Sequence, residues 1–292
     1  VFVAVQGPVH GKSEERGVYK STDGGETWKK VLYVNETTGA SEVSMDMNNP
    51  RILYASTWDH IRYPWKVVSG GEGSGLYKST DMGETWTELT EGLPAMMGKT
   101  AVAVSRANPN VVYANIEAEG KKGGVYRSND GGETWRQTTS DRRTITRAWY
   151  YIEVFPDPID ENTVYVCNAR VMKSTDGGRS FSEVSVGHGD THNLWINPND
   201  NQNMILSDDG GAEITYNGGE NWSTLYNQPT AQFYRVITDE RFPYYIYAGQ
   251  QDNSTVVTPN RTTGAGITER DWYAASGCES AFLAFDPVNP EW

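Results

Sequence analysis

Cysteine is rare in this chain of 292 residues, which contains only Cys167 and Cys278. Two cysteines are too few for a disulfide scaffold or a thiolate zinc site, and the sequence leaves open whether they pair. Long apolar runs are also missing, and the mean hydropathy is −0.62. A transmembrane helix is therefore excluded. We expect no cofactor and assign no metal ligands.

The sequence has no basic cluster, and its net charge is −13, from 38 acidic against 25 basic side chains. Nucleic acid and anionic membrane surfaces are therefore poor candidate partners. A starting Met and a basic leader are missing too, because the chain opens with VFVAVQG. We interpret it as a mature or excised segment whose signal peptide is not in view.

Glycine and large aromatics are abundant instead, with 30 Gly, 17 Tyr and 10 Trp. This composition, with little helical spacing, predicts an all-β protein. One eight-residue motif recurs through the chain. The copies are STDGGETW at 21–28, STDMGETW at 79–86, SNDGGETW at 128–135, STDGGRSF at 174–181 and TYNGGENW at 215–222.

The copies start 58, 49, 46 and 41 residues apart. Such a period suits one four-stranded antiparallel propeller blade per repeat. Each unit also carries a Pro- or Asn-rich turn between two strands. The turns read MDMNNPRILYA, VSRANPNVVYA, FPDPIDENTVYV and INPNDNQNMIL.

The repeated motif has the chemistry of a tight turn. The Asp23 carboxylate can accept backbone N–H bonds within its own hairpin. Gly24 and Gly25 supply positive φ angles, and Trp28 offers a large indole for burial. The pattern S-x-D-x-G-x-T-W resembles the Asp-box, or bacterial neuraminidase repeat, in which these turns lie on the propeller rim away from the ligand. The resemblance implies a structural role for Asp23, Trp28, Asp81, Trp86, Asp130, Trp135, Asp176, Phe181, Asn217 and Trp222. Phe181 and Asn217 depart from the pattern.

Five copies predict five blades, and the segment from FYRVITDERF to ERDWYAA suggests a sixth. The chain ends on SAFLAFDPVNPEW, which matches the first strand and turn of a blade, and begins on its second strand. We therefore expect one domain over residues 1–292, a six-bladed propeller closed by pairing of strand 281–286 with strand 1–5. The alternative is a fragment of a larger protein.

Sorting the loops by blade face places all four histidines on the face opposite the repeated turns. Functional residues concentrate on loops that a rigid frame displays. The candidate ligand-binding residues of this face are Trp58, His60, Arg62, Trp65, Arg147, His188, His192, Asp208, Asp209, Gln251 and Asp252. Such a mixture suits a carbohydrate or a peptide. We expect the longest insertion, 58–74, to approach the loop that carries His188.

HGDTHNLW, residues 188–195, is the sharpest local feature. His188, Asp190 and His192 would share one side if this stretch were extended. They form either a metal site, a general acid or base, a ligand contact or a buried hydrogen-bond network. The Arg142, Arg143 and Arg147 group either holds an anionic ligand or forms a solvated loop.

The chain resembles the propeller part of large secreted bacterial proteins described as sortilin-like or glycosyl hydrolase. The same repeats occur in sialidases, xyloglucanases, sortilin's luminal domain and photosystem assembly factors, so fold alone does not choose a function. Sialidases carry an Arg-Ile-Pro segment that this chain lacks. Resemblance to xyloglucanases implies Asp190 as catalytic acid or base, but those enzymes work between two propellers. Hydrolysis also needs a second carboxylate, for which Asp59, Asp208 and Asp209 are candidates.

Two functions follow. The first is an extracellular or periplasmic module that binds a protein, peptide or glycan without catalysis, and it is the one we favour. The second is a β-glucan hydrolase that needs a second domain.

Overall fold

The computed structural model describes residues 1–225, 230–277, 279 and 282–290. Within these residues the chain forms 22 β-strands and two short 3-10 helices, Gly120–Lys122 and Arg142–Thr144. The expectation of an all-β protein is therefore confirmed. Cys167 is a buried thiol, whereas Cys278 lies outside the described residues. No helix among the described residues has the length and apolar character needed to cross a membrane.

The strands pair antiparallel in six sheets within the described part of the chain. The first sheet contains β1 (Phe2–Val5), β2 (Gly17–Lys20) and β3 (Lys29–Leu32). The second contains β4 (Thr38–Met45), β5 (Leu53–Tyr63), β6 (Lys66–Ser69), β7 (Gly75–Ser79) and β8 (Thr87–Leu89). The third contains β9 (Thr100–Val104), β10 (Val112–Ile116), β11 (Gly124–Ser128) and β12 (Arg136–Thr139).

The fourth sheet contains β13 (Val154–Pro156), β14 (Val164–Val166), β15 (Val171–Ser174) and β16 (Ser182–Val184). The fifth contains β17 (Thr191–Ile196), β18 (Met204–Asp208) and β19 (Gly211–Thr215). The sixth contains β20 (Phe233–Thr238), β21 (Tyr245–Gln250) and β22 (Thr255–Pro259). Strand order follows chain order, as in a meander, and β6 pairs with the outer half of β5.

The chain divides into two compact units. The first comprises residues 1–208 and 212–223, and the second comprises residues 209–211 and 224–292. The first four sheets and almost all of the fifth belong to the first unit. In the second unit Tyr247 and Val257 are buried, while every residue of β20 is exposed. Tyr247 stacks on Phe285 with ring centroids 4.7 Å apart.

The core of the first unit consists of apolar layers between successive sheets. Tyr54 and Leu76 of the second sheet pack with Val112 and Tyr126 of the third. The third and fourth sheets, and then the fourth and fifth, share similar layers. β-branched and aromatic residues fill these strands because both faces of a middle sheet are buried. Each middle sheet is thus packed on two sides, which is the arrangement of propeller blades.

The turn between the first two strands of a sheet is closed by a side chain. Asp46 accepts the Asn48 N–H at 2.8 Å, and Asp157 accepts the Ile159 N–H at 2.8 Å. Asn197 serves the corresponding turn of the fifth sheet. These are turns in which a short acid or amide replaces a backbone acceptor. The sequence therefore sets the strand ends through Asp and Asn as well as through Pro.

The five repeated turns, called the joints below, lie at 21–28, 79–86, 128–135, 174–181 and 215–222. In the third joint Asp130 accepts the Thr134 N–H at 2.9 Å and the Thr134 hydroxyl at 2.6 Å. Ser128 donates to Asp130 at 2.7 Å and accepts the Gly132 N–H at 2.8 Å. Led by the Thr134 hydroxyl, these bonds lower the pKa of Asp130 to about 2. In the fifth joint Asn217 takes the place of the acid.

Each of the last four joints is also tied to the first turn of its own sheet. The backbone N–H groups of Met82, Gly131, Gly177 and Gly218 donate to the carbonyls of Arg51, Asn110, Asn162 and Gln202. The central glycines of the third joint have φ angles of 70° and 92°, which L side chains rarely adopt. These positive φ angles explain why glycine recurs in the joints.

Candidate functional site

Asp190 lies in the loop between β16 and β17, with its backbone at φ 53°. Its N–H donates to the Ala169 carbonyl at 3.2 Å, so the loop is fixed to the β14–β15 connection. The carboxylate accepts a hydrogen bond from the Tyr151 hydroxyl and pairs with Arg147 at 3.0 Å. Its side chain is 28% exposed. Asp190 is thus an anion with a cationic partner at the protein surface.

Arg147 contacts aromatic rings as well as Asp190. Its guanidinium carbon lies 4.9 Å from the centroid of Tyr150 and 5.3 Å from that of Tyr151. His192 meets Tyr151 edge-on, with centroids 5.2 Å apart. Arg147, Tyr151, Asp190 and His192 are called the Asp190 cluster below. The Arg–aromatic and Arg–carboxylate contacts hold one guanidinium from two sides.

The Asp190 cluster draws two members from the loop between β12 and β13, and two buried asparagines fix that loop. Asn115 donates to the carbonyls of Thr144 and Ile152 at 2.7 and 3.0 Å. Asn168 donates to the carbonyls of Thr144 and Tyr151 at 3.1 and 3.2 Å. Both amides satisfy backbone groups that burial would otherwise leave unpaired. The loop is therefore clamped at both ends, and Arg147 lies between the clamps.

A buried carboxyl group fixes the start of the other loop. Both oxygens of Glu213 accept the Gly187 N–H, at 2.8 and 3.0 Å. Burial raises the pKa of Glu213, and the neighbouring Asp208 carboxyl raises it further. The structure thus places Asp208 beside Glu213 in the support of the loop. The His188 ring nitrogen Nδ1 lies 2.8 Å from the Gly189 carbonyl.

The insertion at 58–74 is a β-hairpin, formed because β5 continues to Tyr63 and pairs back with β6. His60 therefore lies in β5 and His192 in β17, which corrects the expectation that all four histidines are in loops. Alternation along the strand orients side chains in both cases. The hairpin reaches the β12–β13 loop, where Arg62 Nη2 donates to the Tyr150 hydroxyl at 3.3 Å. His10 Nδ1 lies 2.8 Å from the Arg62 carbonyl.

Trp58 and His60 lie inside this hairpin, with 1% and 5% of their surface exposed. Their rings stack with centroids 3.9 Å apart. Trp58 Nε1 donates to Ser69 Oγ at 3.0 Å, and burial lowers the pKa of His60. A ligand on the surface would not touch either ring. Both residues stiffen the hairpin that carries Arg62.

Trp65 lies at the tip of the hairpin and is 77% exposed. Its ring stacks on Tyr63 with centroids 5.6 Å apart. Lys66 Nζ lies 5.5 Å from the centroid of the Tyr63 ring. The tip is an exposed aromatic surface.

An open cavity of about 590 Å³ borders the same β12–β13 loop. Its lining includes Glu117, Met96, Met97, Arg142, Arg147, Trp149 and Tyr150. Arg147 and Tyr150 thus join the cavity to the Asp190 cluster. Volumes of 300 to 1,000 Å³ are typical of ligand pockets. The cavity and the cluster together form a continuous candidate site within the first unit.

The remaining candidates belong to the second unit. Asp209 lies at its start, and Gln251 and Asp252 follow β21. The Asp252 N–H donates to Glu279 at 2.8 Å, and Gln251 Nε2 donates to Asp252 at 3.0 Å. Burial raises the pKa of Asp252. These contacts join the end of β21 to Glu279 within that unit.

A metal site is not apparent in the described part of the chain, where no group of three or more His, Cys, Asp or Glu side chains could hold an ion. The two donors nearest to Asp190 are an arginine and a tyrosine. The chemistry available to the site is hydrogen bonding, ion pairing and aromatic stacking.

Sequence reasoning missed Tyr150, Tyr151, Trp149 and Glu117. The first three stand in the segment that continues from Arg147, where RAWYY interleaves a cation with aromatics. That composition is a signal for stacking contacts. Glu117 offered a weaker signal, an acid directly after the buried β10.

The fold and site define an all-β protein of propeller-type sheets with an Arg–Tyr–Asp surface cluster. The family model of Sortilin-Vps10, described as "Sortilin, neurotensin receptor 3", matches residues 16–148 and 123–272. The chain belongs to the Sortilin-Vps10 family, a β-propeller family. No curated protein matches the chain.

Solved structures give a likeness in fold. An ancestral GH74 enzyme aligns with a TM-score of 0.51 at 18% identity, covering 99% of this chain and 42% of that chain. The GH74 enzyme of Niastella koreensis aligns at 0.47 and 14% identity, covering 88% and 58%. YCF48 bound to D1 peptide aligns at 0.45 and 14% identity, covering 94% and 85%. The chain spans about half the length of the two GH74 structures.

Proposed function

We propose that the chain is a binding module whose ligand occupies the surface formed by Arg62, Tyr150 and the Asp190 cluster. The observation that carries this proposal is the Arg147–Asp190–Tyr151 contact. A carboxylate that accepts from a cation and a hydroxyl is held in a fixed orientation. Rigid polar groups beside exposed aromatics are the usual composition of a ligand pocket.

The ligand is a protein, a peptide or a glycan, and the module works in an extracellular or periplasmic setting. The family description names a receptor, which agrees with recognition as the role. His188 and His192 flank the site, and Trp65 extends it along the hairpin. Asp209, Gln251 and Asp252 remain proposed ligand contacts within the second unit, and Asp208 is proposed to act through the Glu213 support of the loop.

Hydrolysis of a β-glucan is the second candidate, with Asp190 as the acid or base. Its support is the partial exposure of Asp190 beside an open cavity. Hydrolysis requires a second carboxylate about 5–9.5 Å away across a groove. Under this alternative a second domain completes the cleft.

The two candidates are separated by running a glycan array and a displayed random-peptide library beside a polysaccharide hydrolysis panel. We expect a captured ligand and no release of reducing sugar. Arg147→Met should then weaken capture at least about tenfold, the effect of one lost charge-assisted contact. Lys29→Met is the matched control, because it breaks the exposed Lys29–Glu84 pair near a joint. Sugar release that Asp190→Asn abolishes would support the hydrolase instead.

We also propose that residues 1–292 form one propeller of six blades, closed by strands 1–5 and 281–286. The meander of β-sheets supports this architecture. Residues 282–286 are not part of a β-strand in the structure and Ala281 lies outside the described residues, so the pairing is a prediction. Backbone amide exchange tests it: residues 2–5 should lose protection when 281–292 is deleted. Unchanged protection of these amides would refute the closure.

A further inference from the structure

The cavity beside the Asp190 cluster has a carboxylate in its wall that the proposed function does not yet use. Glu117 follows β10, and three neutral donors fix its side chain. Ser69 Oγ and the Lys99 N–H donate to Oε2, the latter at 2.9 Å. Trp149 Nε1 donates to Oε1 at 3.0 Å. A carboxylate has about four lone-pair sites, so one acceptor position remains.

Two cations near Glu117, Lys99 and Arg147, are paired with other carboxylates. Lys99 directs its ammonium to Glu153 at 3.4 Å, and Arg147 pairs with Asp190. The described residues contain no ion pair to Glu117 itself, whose contacts are the three neutral donors. Its direct partners are therefore dipoles, and a cation from outside would gain a direct contact with its charge.

The walls of the cavity suit the stem of a long cationic side chain. Trp149 is 46% exposed and Met96 is 56% exposed, while Met97 and Ala148 are buried. Alkyl stems of Lys and Arg pack well on such apolar surface. A cation near the Trp149 ring gains a further attraction from the ring face.

Close approach to Glu117 is secured by a glycine. A Cβ atom at Gly98 would lie 2.2 Å from Glu117 Oε2, so a side chain at this position would displace the Glu117 carboxylate. Because Gly98 has no side chain, the Glu117 carboxylate keeps its place in the cavity lining. The geometry is that of a prepared acceptor at the wall of a pocket.

We propose that this cavity receives a lysine or arginine side chain of a peptide or protein ligand, with its cation on Glu117 and its stem between Met97 and Trp149. The proposal rests on the proposed binding function and names the ligand chemistry of that site. The net charge of −13 favours approach of a basic partner over an acidic one. Arg142, an exposed member of the lining, opposes it.

The test uses acetylated, amidated Gly-X-Gly tripeptides, with X as arginine, lysine, citrulline, norleucine or glutamate. Protein labelled with 5-fluorotryptophan reports on the cavity through the fluorine signal of Trp149, which Trp149→Phe identifies. We expect saturable shifts of this signal with arginine and lysine. Citrulline and norleucine, which keep the shape without the charge, should bind at least about tenfold more weakly.

Two variants alter the charge of the cavity in opposite directions. Glu117→Gln keeps the shape and should make arginine and citrulline bind equally. Arg142→Gln removes the opposing charge and should tighten arginine binding a few-fold. Should Glu117→Gln prove unfolded by thermal melting, Met96→Trp at the exposed edge of the lining replaces it and should block all the tripeptides.

Equal binding of arginine and citrulline by the unaltered protein overturns the proposal, as does tighter binding of the glutamate tripeptide. Failure here leaves the proposed function standing if a library ligand still depends on Arg147. Failure of the library to yield any Arg147-dependent ligand refutes the proposed function instead. The two results are therefore read separately.

Discussion

The joints and the Asp190 cluster lie at the two ends of the same strands, yet they are built differently. β15 starts beside the Ala169 carbonyl, which accepts the Asp190 N–H, and ends at the joint 174–181. At the joint end the same acid, hydroxyl and glycine contacts recur from sheet to sheet. At the cluster end each contact occurs once, through residue types drawn from three different connections.

This difference separates structural repetition from individual chemistry. Joint acids are satisfied by their own turn, so they have nothing left to offer a ligand. Asp190 is satisfied by Arg147 and Tyr151 from another loop, so its geometry depends on long-range folding. A motif that repeats across five sheets is therefore the last place to look for binding, and an unrepeated cluster is the first.

Removing a buried joint indole should have the largest effect on stability. Trp135 is 5% exposed and Trp28 is 42% exposed. Each donates Nε1 to the carbonyl of the second glycine of its own joint, Gly132 or Gly25, at 3.0 Å. Trp135→Ala should lower the free energy of unfolding by about 3–5 kcal/mol, and Trp28→Ala by about 1 kcal/mol. Urea unfolding measures both. Equal losses would show that the joints do not differ in burial.

The Asp190 cluster should respond in the opposite way. Arg147→Met should reduce ligand capture at least tenfold, or about 1.4 kcal/mol, while changing the unfolding free energy by less than about 1 kcal/mol, as for other partly exposed ion pairs. Titration calorimetry and thermal melting give the two numbers. A variant with a much lower melting temperature but unchanged ligand binding would show that the cluster has a structural role.

Acid should weaken the joints over a defined pH range. The pKa of Asp130 is about 2 in the fold and 3.8 ordinarily, so the folded state binds its proton less readily. Its contribution to stability is complete above about pH 4 and is lost as the pH falls towards 2. Asp130→Asn should flatten the dependence of the urea midpoint on pH between 5 and 2.5. An unchanged slope would mean that Asp130 does not contribute to acid unfolding.

The smallest stability effect should come from the hairpin tip. Trp65 is 77% exposed, so Trp65→Ala should leave the melting temperature within about 1–2 °C, since little buried area is lost. Trp58→Ala in the same hairpin is the matched contrast, because its ring is fully buried and should cost roughly 3–5 kcal/mol. Equal melting temperatures for the two variants would contradict the hairpin geometry.

Sequence reasoning recovered the features that local chemistry determines. The joints could be located because Asp, Gly and Ser act within eight residues, and the strands because their composition is β-branched and aromatic. Pattern alone also gave Arg147 and Asp190 as separate candidates. Their contact depends on Asn115 and Asn168, which clamp the loop from the two sheets that it connects. Such pairings across the fold have no local signature.

The hairpin at 58–74 shows the other limit. Its residues alternate in a way that suits a strand, with Trp58, His60 and Arg62 two apart. Which of them is buried depends on β6 folding back and on Ser69 meeting the Trp58 indole. The exposed and buried side chains of the hairpin cannot be distinguished before that strand pairing is known.

The tyrosines of β5 and β10 bind the sheet that follows. Tyr54 donates its hydroxyl to the Gly131 carbonyl, and Tyr113 donates to the Glu161 carbonyl, both at 2.7 Å. The second and third sheets thus each bind the next sheet through a tyrosine of their second strand. A tandem duplication of one repeat in the gene would insert a unit that already fits both neighbours. The number of repeats could then change during evolution without a new interface. The protein would change in size while its loops diverge.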